Sequence, residues 1–271
     1  MKHITLLMAI CVLLACVPAH AGGPSIDVVG GLTRLASVKP GSTVEGKILV
    51  RNTGNAPGDV KVFLTDYLFY ADGVNKYDEP GTNPRSNAAW ITFTPRQFTV
   101  PANNTVAVQY AIQVPADPKL VGTYWSMLMI EPIPPGALDA PTNEKDKVKV
   151  GVQTVLRYGM QMITDFPDTG SCSVKFSRQQ LVKEDNKLSL LLDIDNTGER
   201  YLTPAVWAEL FDGQGISLGR FEGGRLRLYP GCSGRFRIDL SQLSKSKYDA
   251  LLVADNGDDH VFGTQLKLDI P

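Results

Sequence analysis

The sequence predicts an all-β protein built from two tandem immunoglobulin-like β-sandwich domains that follow a cleaved signal peptide. Period-two patterns of Val, Ile, Thr, Tyr and Phe dominate the 271 residues, and convincing helical periodicity is absent. Turn signals such as Asp72-Gly73 and Asn256-Gly257 separate these runs and supply the positive φ angles of tight hairpins. About seven strands in each half, with a turn every ten residues or so, are typical of an immunoglobulin-like sandwich.

The chain also repeats itself, which predicts its division into domains. Residues 48–54 read Ile-Leu-Val-Arg-Asn-Thr-Gly, and residues 192–198 read Leu-Asp-Ile-Asp-Asn-Thr-Gly. Each copy continues through an apolar segment to Asp-Gly, and later reaches a proline that precedes an alternating stretch. We therefore predict two diverged copies of one β-rich unit, an N-terminal domain at residues 24–165 and a C-terminal domain at residues 169–271.

The N-terminus has the pattern of a secretory signal. Lys2 precedes an apolar run that is too short to span a bilayer, and Pro-Ala-His-Ala at residues 18–21 supplies the small residues of a cleavage site. We predict a signal peptide over residues 1–21 and an exported mature chain. The alternative is the run Leu-Leu-Ala-Cys that ends at Cys16, which is typical of lipoprotein processing and would leave Cys16 acylated at a membrane.

Composition argues against several functional classes. A formal net charge of −1 opposes a nucleic-acid partner, which requires a clustered basic surface. Outside the predicted signal, His260 is the only histidine and Cys172 and Cys232 are the only cysteines. A Ser-His-Asp or Cys-His site would depend on that single histidine, and a zinc site has almost no ligands to draw on. We predict no enzymatic activity, no cofactor and no metal site, and a Cys172–Cys232 disulfide, as is usual in an exported chain.

Two segments of the first unit stand out. Residues 72–89 are polar and are interpreted as a solvated connection between strands, with a functional insertion as the alternative. Further along, Val148, Val150 and Val152 alternate with polar residues, which places the three valines on one face of a strand. One interpretation is a half-buried strand whose lysines protect a sheet edge, and the other is an edge strand offered to another protein's open sheet.

Several short motifs follow one another in the first half of the chain. They are Thr33-Arg34, Ile91-Thr92-Phe93-Thr94-Pro95, Pro115-Ala116-Asp117 before Tyr124-Trp125, Ile133-Pro134-Pro135, and an alternating strand at residues 148–158 that contains Gln153-Thr154. In this order they resemble the N-terminal domain of periplasmic pilus chaperones of the PapD type, over about residues 26–165. The second unit resembles that family only in being another sandwich.

The resemblance implies a non-enzymatic periplasmic chaperone that binds surface-fibre (pilus) subunits by β-strand donation from residues 148–156. The implied subunit-binding strand carries Val148, Val150, Val152, Thr154 and Leu156. The resemblance also implies a basic cleft in which Arg34 and Arg157 hold the C-terminal carboxylate of the subunit, which arginine can grip in bidentate fashion. An outer-membrane usher would be the platform that receives the subunit.

Tandem sandwiches also suit a different role. A secreted or lipid-anchored structural or adhesive protein of the cell envelope could use the same fold without any part in assembly. In that alternative, the chain would contact a membrane only if Cys16 is lipidated.

Overall fold

The computed structural model describes residues 23–134 and 155–270, and these ranges contain seventeen β-strands in four sheets. One turn of 3-10 helix at Ala88–Trp90 is the only helical element in them. Nowhere in the same two ranges does a helix reach the length and apolar character needed to cross a bilayer. The predicted fold class, all-β with two tandem immunoglobulin-like sandwiches, is confirmed.

Residues 26–166 form the first sandwich. One sheet has the order β1-β3-β8-β6, with β1 at Ile26–Val29, β3 at Thr43–Asn52, β8 at Thr105–Gln113 and β6 at Ile91–Thr94. The other has the order β2-β10-β9-β4-β5, with β2 at Thr33–Ser37, β10 at Tyr158–Phe166, β9 at Gly122–Ile133, β4 at Gly58–Phe69 and β5 at Asn75–Asp78, and β7 at Gln97–Val100 also pairs with β4. The β2–β10 pair is parallel, and the neighbouring pairs are antiparallel.

Residues 174–270 form the second sandwich. Its three-stranded sheet contains β11 at Val174–Glu184, β12 at Lys187–Asn196 and β15 at Ser233–Asp239. Its four-stranded sheet has the order β14-β13-β16-β17, with β14 at Ser217–Arg225, β13 at Ala205–Phe211, β16 at Ser246–Asp255 and β17 at Val261–Ile270. The domain limits of 24–165 and 169–271 stay a prediction. Below, the two sandwiches are called the first and second lobes.

Each lobe buries its own apolar core because one face of every central strand is apolar. In the first lobe, Ile48 and Val50 of β3 pack with Met162 of β10, and all three are fully buried. In the second lobe, Leu192 of β12 and Leu252 of β16 are central. Burying side chains of this size stabilises a fold by about 1.5–3 kcal/mol each, so the apolar face of the period-two pattern accounts for the core of each sandwich.

The repeated Asn-Thr-Gly forms the same buried turn in both lobes. The Asn52 amide nitrogen donates to the carbonyls of Ala56 (2.8 Å) and Val100 (3.0 Å), while its oxygen accepts from the Gly54 N–H (2.9 Å). A side chain on Gly54 would overlap the Gly23 carbonyl, so this position requires glycine. The Asn side chain therefore satisfies backbone groups that the strands cannot reach.

The second copy reproduces this arrangement. The Asn196 amide nitrogen donates to the carbonyls of Arg200 (2.8 Å) and Leu228 (2.9 Å), and its oxygen accepts from the Gly198 N–H (3.0 Å). Like its counterpart, Asn196 is buried. The repeat seen in the sequence is therefore a repeat of local structure as well.

The predicted disulfide is wrong, because Cys172 and Cys232 are both free thiols. Cys232 is fully buried and packs with Trp125 and Tyr229. Cys172 is only partly buried and lies with Arg200 in a small pocket of the second lobe. The two cysteines therefore lie in different environments, although composition alone had suggested a disulfide between them.

We expect Asn196→Ala to lower the free energy of unfolding by about 2–3 kcal/mol, because it leaves two buried carbonyls without a donor. Urea unfolding followed by tryptophan fluorescence measures this change. Asn55→Ala is the matched control, because Asn55 is an exposed residue of the first copy of the turn. We expect the free energy of unfolding of this variant to equal that of the wild type. Equal stability of Asn196→Ala and the wild type would contradict the role given to this side chain.

The free thiols predict a defined labelling order. Burial raises the pKa of Cys232 to about 11, and burial also raises the pKa of Cys172, so little reactive thiolate forms at pH 8 in the native state. Under native conditions a thiol reagent should label Cys172 slowly and Cys232 far more slowly, while denaturant should expose both. Reductant should leave the melting temperature unchanged. An intact mass two hydrogens lower than the reduced chain would contradict this assignment.

Candidate functional site

The candidate site lies on the outer face of the β2-β10-β9-β4-β5 sheet. Side chains alternate across a sheet, and Leu128 and Ile130 of β9 face the core, so Met127 and Met129 face outward. Met129 lies between Gly159 of β10 and Phe63 of β4, and Met127 lies between Gln161 and Thr65. The outer face is therefore more apolar than an exposed sheet face needs to be.

This face forms the floor of a groove of about 600 Å³, which we call the outer groove. Its lining residues are Phe63, Leu64, Thr65, Tyr67, Tyr77, Asp78, Glu79, Pro80, Met127, Met129, Arg157, Gly159 and Gln161. One wall is the β5 hairpin, which carries the exposed ring of Tyr77. A volume of this size accommodates several side chains of a ligand or a partner.

The second lobe covers the other part of the same face. Tyr229 stacks on Trp125 with ring centroids 4.7 Å apart and planes 8° from parallel. Ile163 and Cys232 complete this buried cluster, which joins the two lobes. Stacked aromatic rings contribute free energy in addition to that from the area they bury. Here the stacked pair also covers part of the sheet face and so limits the extent of the groove.

Arg227 of the second lobe reaches the first lobe at that end of the groove. Its Nη1 donates to Thr33 Oγ1 (3.3 Å) and to Gln161 Oε1 (3.2 Å). Gln161 Oε1 also accepts from the Tyr229 hydroxyl at 2.6 Å, and burial raises the pKa of Tyr229, which keeps this hydroxyl a donor. The Arg227 Nε is buried without a hydrogen-bond partner among the described residues.

The guanidinium of Arg227 lies over the ring of Tyr201, 5.8 Å from its centroid, but no carboxylate among residues 23–134 and 155–270 pairs with it. In the described part of the chain, nine ion pairs join Lys or Arg to Asp or Glu, and none of them includes Arg227. A partly buried guanidinium without a carboxylate carries a desolvation cost, and an anion bound beside it would offset that cost. The end of the groove is thus electrostatically suited to a carboxylate.

A second set of contacts fixes the angle between the lobes. Three consecutive residues after the Asn196 turn form these contacts. Glu199 pairs with Arg85 (3.0 Å), and Arg200 pairs with Asp165 (3.1 Å). The Tyr201 N–H donates to Thr123 Oγ1 (2.9 Å). Hydrogen bonds hold the pKa of Glu199 below its usual range, first the backbone N–H of Ser171 and then Arg85, so the carboxylate is charged at neutral pH.

The polar stretch at residues 72–89 is more than a solvated connection. It contains β5, and its second half wraps around the buried carboxylate of Asp66, which accepts from the N–H groups of Gly81 and Asn83 and from the Ser86 hydroxyl. Arg85, between Asn83 and Ser86, donates to the Val121 carbonyl and to Glu199 of the second lobe. This stretch therefore forms one wall of the groove and also braces the joint between the lobes.

The edge of β10 is open at its N-terminal end. β2 pairs with β10 only from Gln161 onward, where the Gln161 N–H donates to the Leu32 carbonyl at 2.9 Å. Tyr158 to Met160 consequently have no strand on that side in the part of the chain that the structure describes. Leu156, just before β10, is 63% exposed.

The predicted site residues fall in different places. Val148, Val150, Val152 and Thr154 lie outside the described residues. Leu156 is exposed beside the open edge of β10. Arg157 lines the outer groove and pairs with Glu131 at 2.8 Å, and Glu131 also binds Lys61 at 2.9 Å.

Arg34 is not brought together with Arg157. It lies opposite Met162, whose side chain is in the core, so Arg34 is on the face of the sheet that points away from the groove. Its Nη1 donates to the Gly31 carbonyl at 2.7 Å. Five residues separate Met162 from Arg157, or about 16 Å along a strand. The prediction of a converging Arg34–Arg157 pair is therefore wrong, and the cation at the end of the groove is Arg227.

No protein-family model matches the chain, and no curated relative matches it either. Solved structures with a similar fold include the class 5 fimbriae chaperone CfaA (TM-score 0.46, 10% identity, 91% of this chain and 100% of that one). They also include the Acinetobacter baumannii CsuC–CsuE complex of a chaperone with a tip adhesion subunit (TM-score 0.44, 11% identity, 90% and 97%) and the E. coli chaperone DraB (TM-score 0.41, 14% identity, 92% and 98%). At TM-scores below 0.5, these similarities do not decide what this chain binds.

Proposed function

We propose that this chain is a non-enzymatic, periplasmic, chaperone-like protein that binds surface-fibre subunits by strand pairing along residues 148–156, with an outer-membrane usher as the receiving platform. The observation that carries the proposal is the edge of β10 left open by the described residues, beside a groove whose lining residue Gln161 binds a guanidinium, Arg227, that has no carboxylate partner among those residues. An open edge offers backbone hydrogen bonds to a guest strand, and the neighbouring groove offers apolar contact. Arg227 binds Thr33 and Gln161 but no carboxylate of the described residues, which supports a binding role for this position.

The position of β2 limits where a guest strand can lie. A strand that pairs with the open edge of β10 cannot continue past Gln161, because β2 occupies the edge from that residue onward. One end of the guest strand is therefore expected near Leu32 and Thr33. Arg227 donates to Thr33, so this chain end meets the uncompensated guanidinium.

The charge of Arg227 selects which end of the guest strand lies there. A C-terminal carboxylate accepts charge-assisted hydrogen bonds from a guanidinium, whereas an N-terminal ammonium would be repelled. The C-terminus of the guest strand is therefore at the Gln161 end. Because β10 runs from Tyr158 toward Phe166, this orientation makes the guest strand parallel to β10.

The valines add apolar burial to this scheme. If the alternation at residues 148–156 continues the edge of β10, then Val148, Val150, Val152, Thr154 and Leu156 present one apolar row to the guest. Each buried valine or leucine is expected to contribute about 1.5–3 kcal/mol at most. Backbone pairing sets the register of the guest strand against this chain, and burial of this row of side chains supplies most of the binding free energy.

We expect Arg227→Gln to weaken binding of a guest strand about tenfold or more, because it removes a charge-assisted interaction. The probe is a synthetic peptide of about ten residues with alternating Val and Ser, prepared with a free C-terminal carboxylate and, separately, with a C-terminal amide. Isothermal titration with the full chain measures both affinities. The carboxylate peptide should bind more tightly to the wild type, and Arg227→Gln should abolish that preference. Arg225→Gln, an exposed neighbour that donates to the Thr203 carbonyl, is the control. An equal affinity of the two peptides for the wild type would overturn the assignment of Arg227.

Charge placed in the apolar row should prevent pairing. Val150→Asp and Leu156→Asp each put a carboxylate against the guest strand, so we expect loss of binding of the same carboxylate peptide by tenfold or more. Val261→Asp is the matched control, because Val261 of β17 is 60% exposed, close to the 63% of Leu156. Unchanged binding by both row variants, with circular dichroism showing a native fold, would rule out strand pairing through residues 148–156.

A further inference from the structure

Gln161 of β10 lies where the open edge ends and the second lobe begins. Its Oε1 accepts two hydrogen bonds from the second lobe, one from the Tyr229 hydroxyl at 2.6 Å and one from Arg227 Nη1 at 3.2 Å. The same side chain lines the outer groove, and Thr33 lies beside it on β2. A single neutral side chain therefore connects the groove to both donors.

These two hydrogen bonds fix the orientation of the Gln161 amide. A guanidinium can only donate, and burial raises the pKa of Tyr229, which keeps its hydroxyl protonated. Rotation of the amide by half a turn would place its NH2 group against Arg227 Nη1 and would take the acceptor away from the Tyr229 hydroxyl. The amide oxygen therefore faces the second lobe. The amide nitrogen, Nε2, donates to no atom of the described residues.

A neutral acceptor holds Arg227 without cancelling its charge. Glutamate has nearly the same shape as glutamine, but at this position it would form an ion pair with the guanidinium. Asp193 pairs with Arg235 in this way at 2.6 Å within the second lobe. With glutamine at position 161, the charge of Arg227 stays available to a ligand, and Nε2 is a second donor close to it.

Resting on the proposed function, we propose that Gln161 determines the selectivity of this site for a free C-terminal carboxylate. Through Oε1 it positions the Arg227 guanidinium, and through Nε2 it donates to the guest carboxylate beside that guanidinium. The partner is then a polypeptide whose pairing strand ends at its own C-terminus. A strand that ends in an amide brings no anion to Arg227 and Gln161, so it binds more weakly.

The ratio of two affinities tests this role. The probes are the alternating Val-Ser peptide with a free C-terminal carboxylate and the same peptide with a C-terminal amide, titrated calorimetrically into the full chain. Gln161→Glu should lower the carboxylate-to-amide ratio from about tenfold in the wild type to about one or below, because the new carboxylate pairs with Arg227 and repels that of the guest. Gln161→Met removes the acceptor and the donor without adding charge, and should lower the ratio to about threefold.

The ratio separates selectivity from a purely structural role. If Gln161 only joined the lobes, both variants would change the two affinities by the same factor and leave their ratio as in the wild type. Gln265→Glu is the matched control, because it makes the same change at an exposed glutamine of β17 and should keep the wild-type ratio. Circular dichroism checks the fold of each variant, and Gln161→Met decides the question if Gln161→Glu does not fold.

Two results would contradict the inference at different levels. A wild-type ratio in the folded Gln161 variants, together with loss of the preference in Arg227→Gln, would overturn the role of Gln161 alone. Failure of the carboxylate peptide to bind the wild type would overturn the proposed function and the role of Gln161 together.

Discussion

The stack of Trp125 on Tyr229 is the contact on which the rest of the site depends. The two rings are buried and their planes are nearly parallel. Their contact places the loop between β14 and β15 of the second lobe directly on the outer face of the first lobe's β2-β10-β9-β4-β5 sheet. Because Tyr229 is held there, its hydroxyl and the guanidinium of Arg227 both reach Gln161. The same stack divides the outer sheet face into a covered part and an open groove. Without it, the groove would have neither an end nor a cation.

A duplicated turn has acquired two different uses. In the first lobe, the turn built on Asn52 closes its own sandwich at the end near Ser25. In the second lobe, the equivalent turn on Asn196 continues into Glu199 and Arg200, which bind Arg85 and Asp165 of the first lobe. Both copies satisfy backbone groups in the same way, but only the second also carries charged side chains at a lobe boundary. The two turns therefore share one local structure, and only the residues that follow the second one contact the other lobe.

Within the residues that the structure describes, β10 has an open edge and Arg227 has no carboxylate partner, and a folded protein usually avoids both features. An unpaired strand edge favours unwanted pairing, and a partly buried charge without a partner lowers stability. Here they lie about two residues apart on β10, beside Gly159 and Gln161. A guest strand ending in a carboxylate would satisfy the edge and the charge at once, which gives the two unfavourable features a common explanation. Because one ligand would satisfy both features, a binding role fits the molecule better than a purely structural one.

The sequence by itself determined the fold class and the duplication, because alternation and Asn-Thr-Gly turns act over a few residues. It also pointed to the segment before Tyr158 as the candidate binding strand. It failed for the Arg34–Arg157 pair, because motif order does not reveal which face of a strand a side chain occupies. It failed for the disulfide, because composition does not reveal which residues surround each cysteine. The tertiary structure decided the site, because Arg227 lies 66 residues from Gln161 and 194 from Thr33 along the chain. Only the packing of one lobe on the other brings these three side chains together.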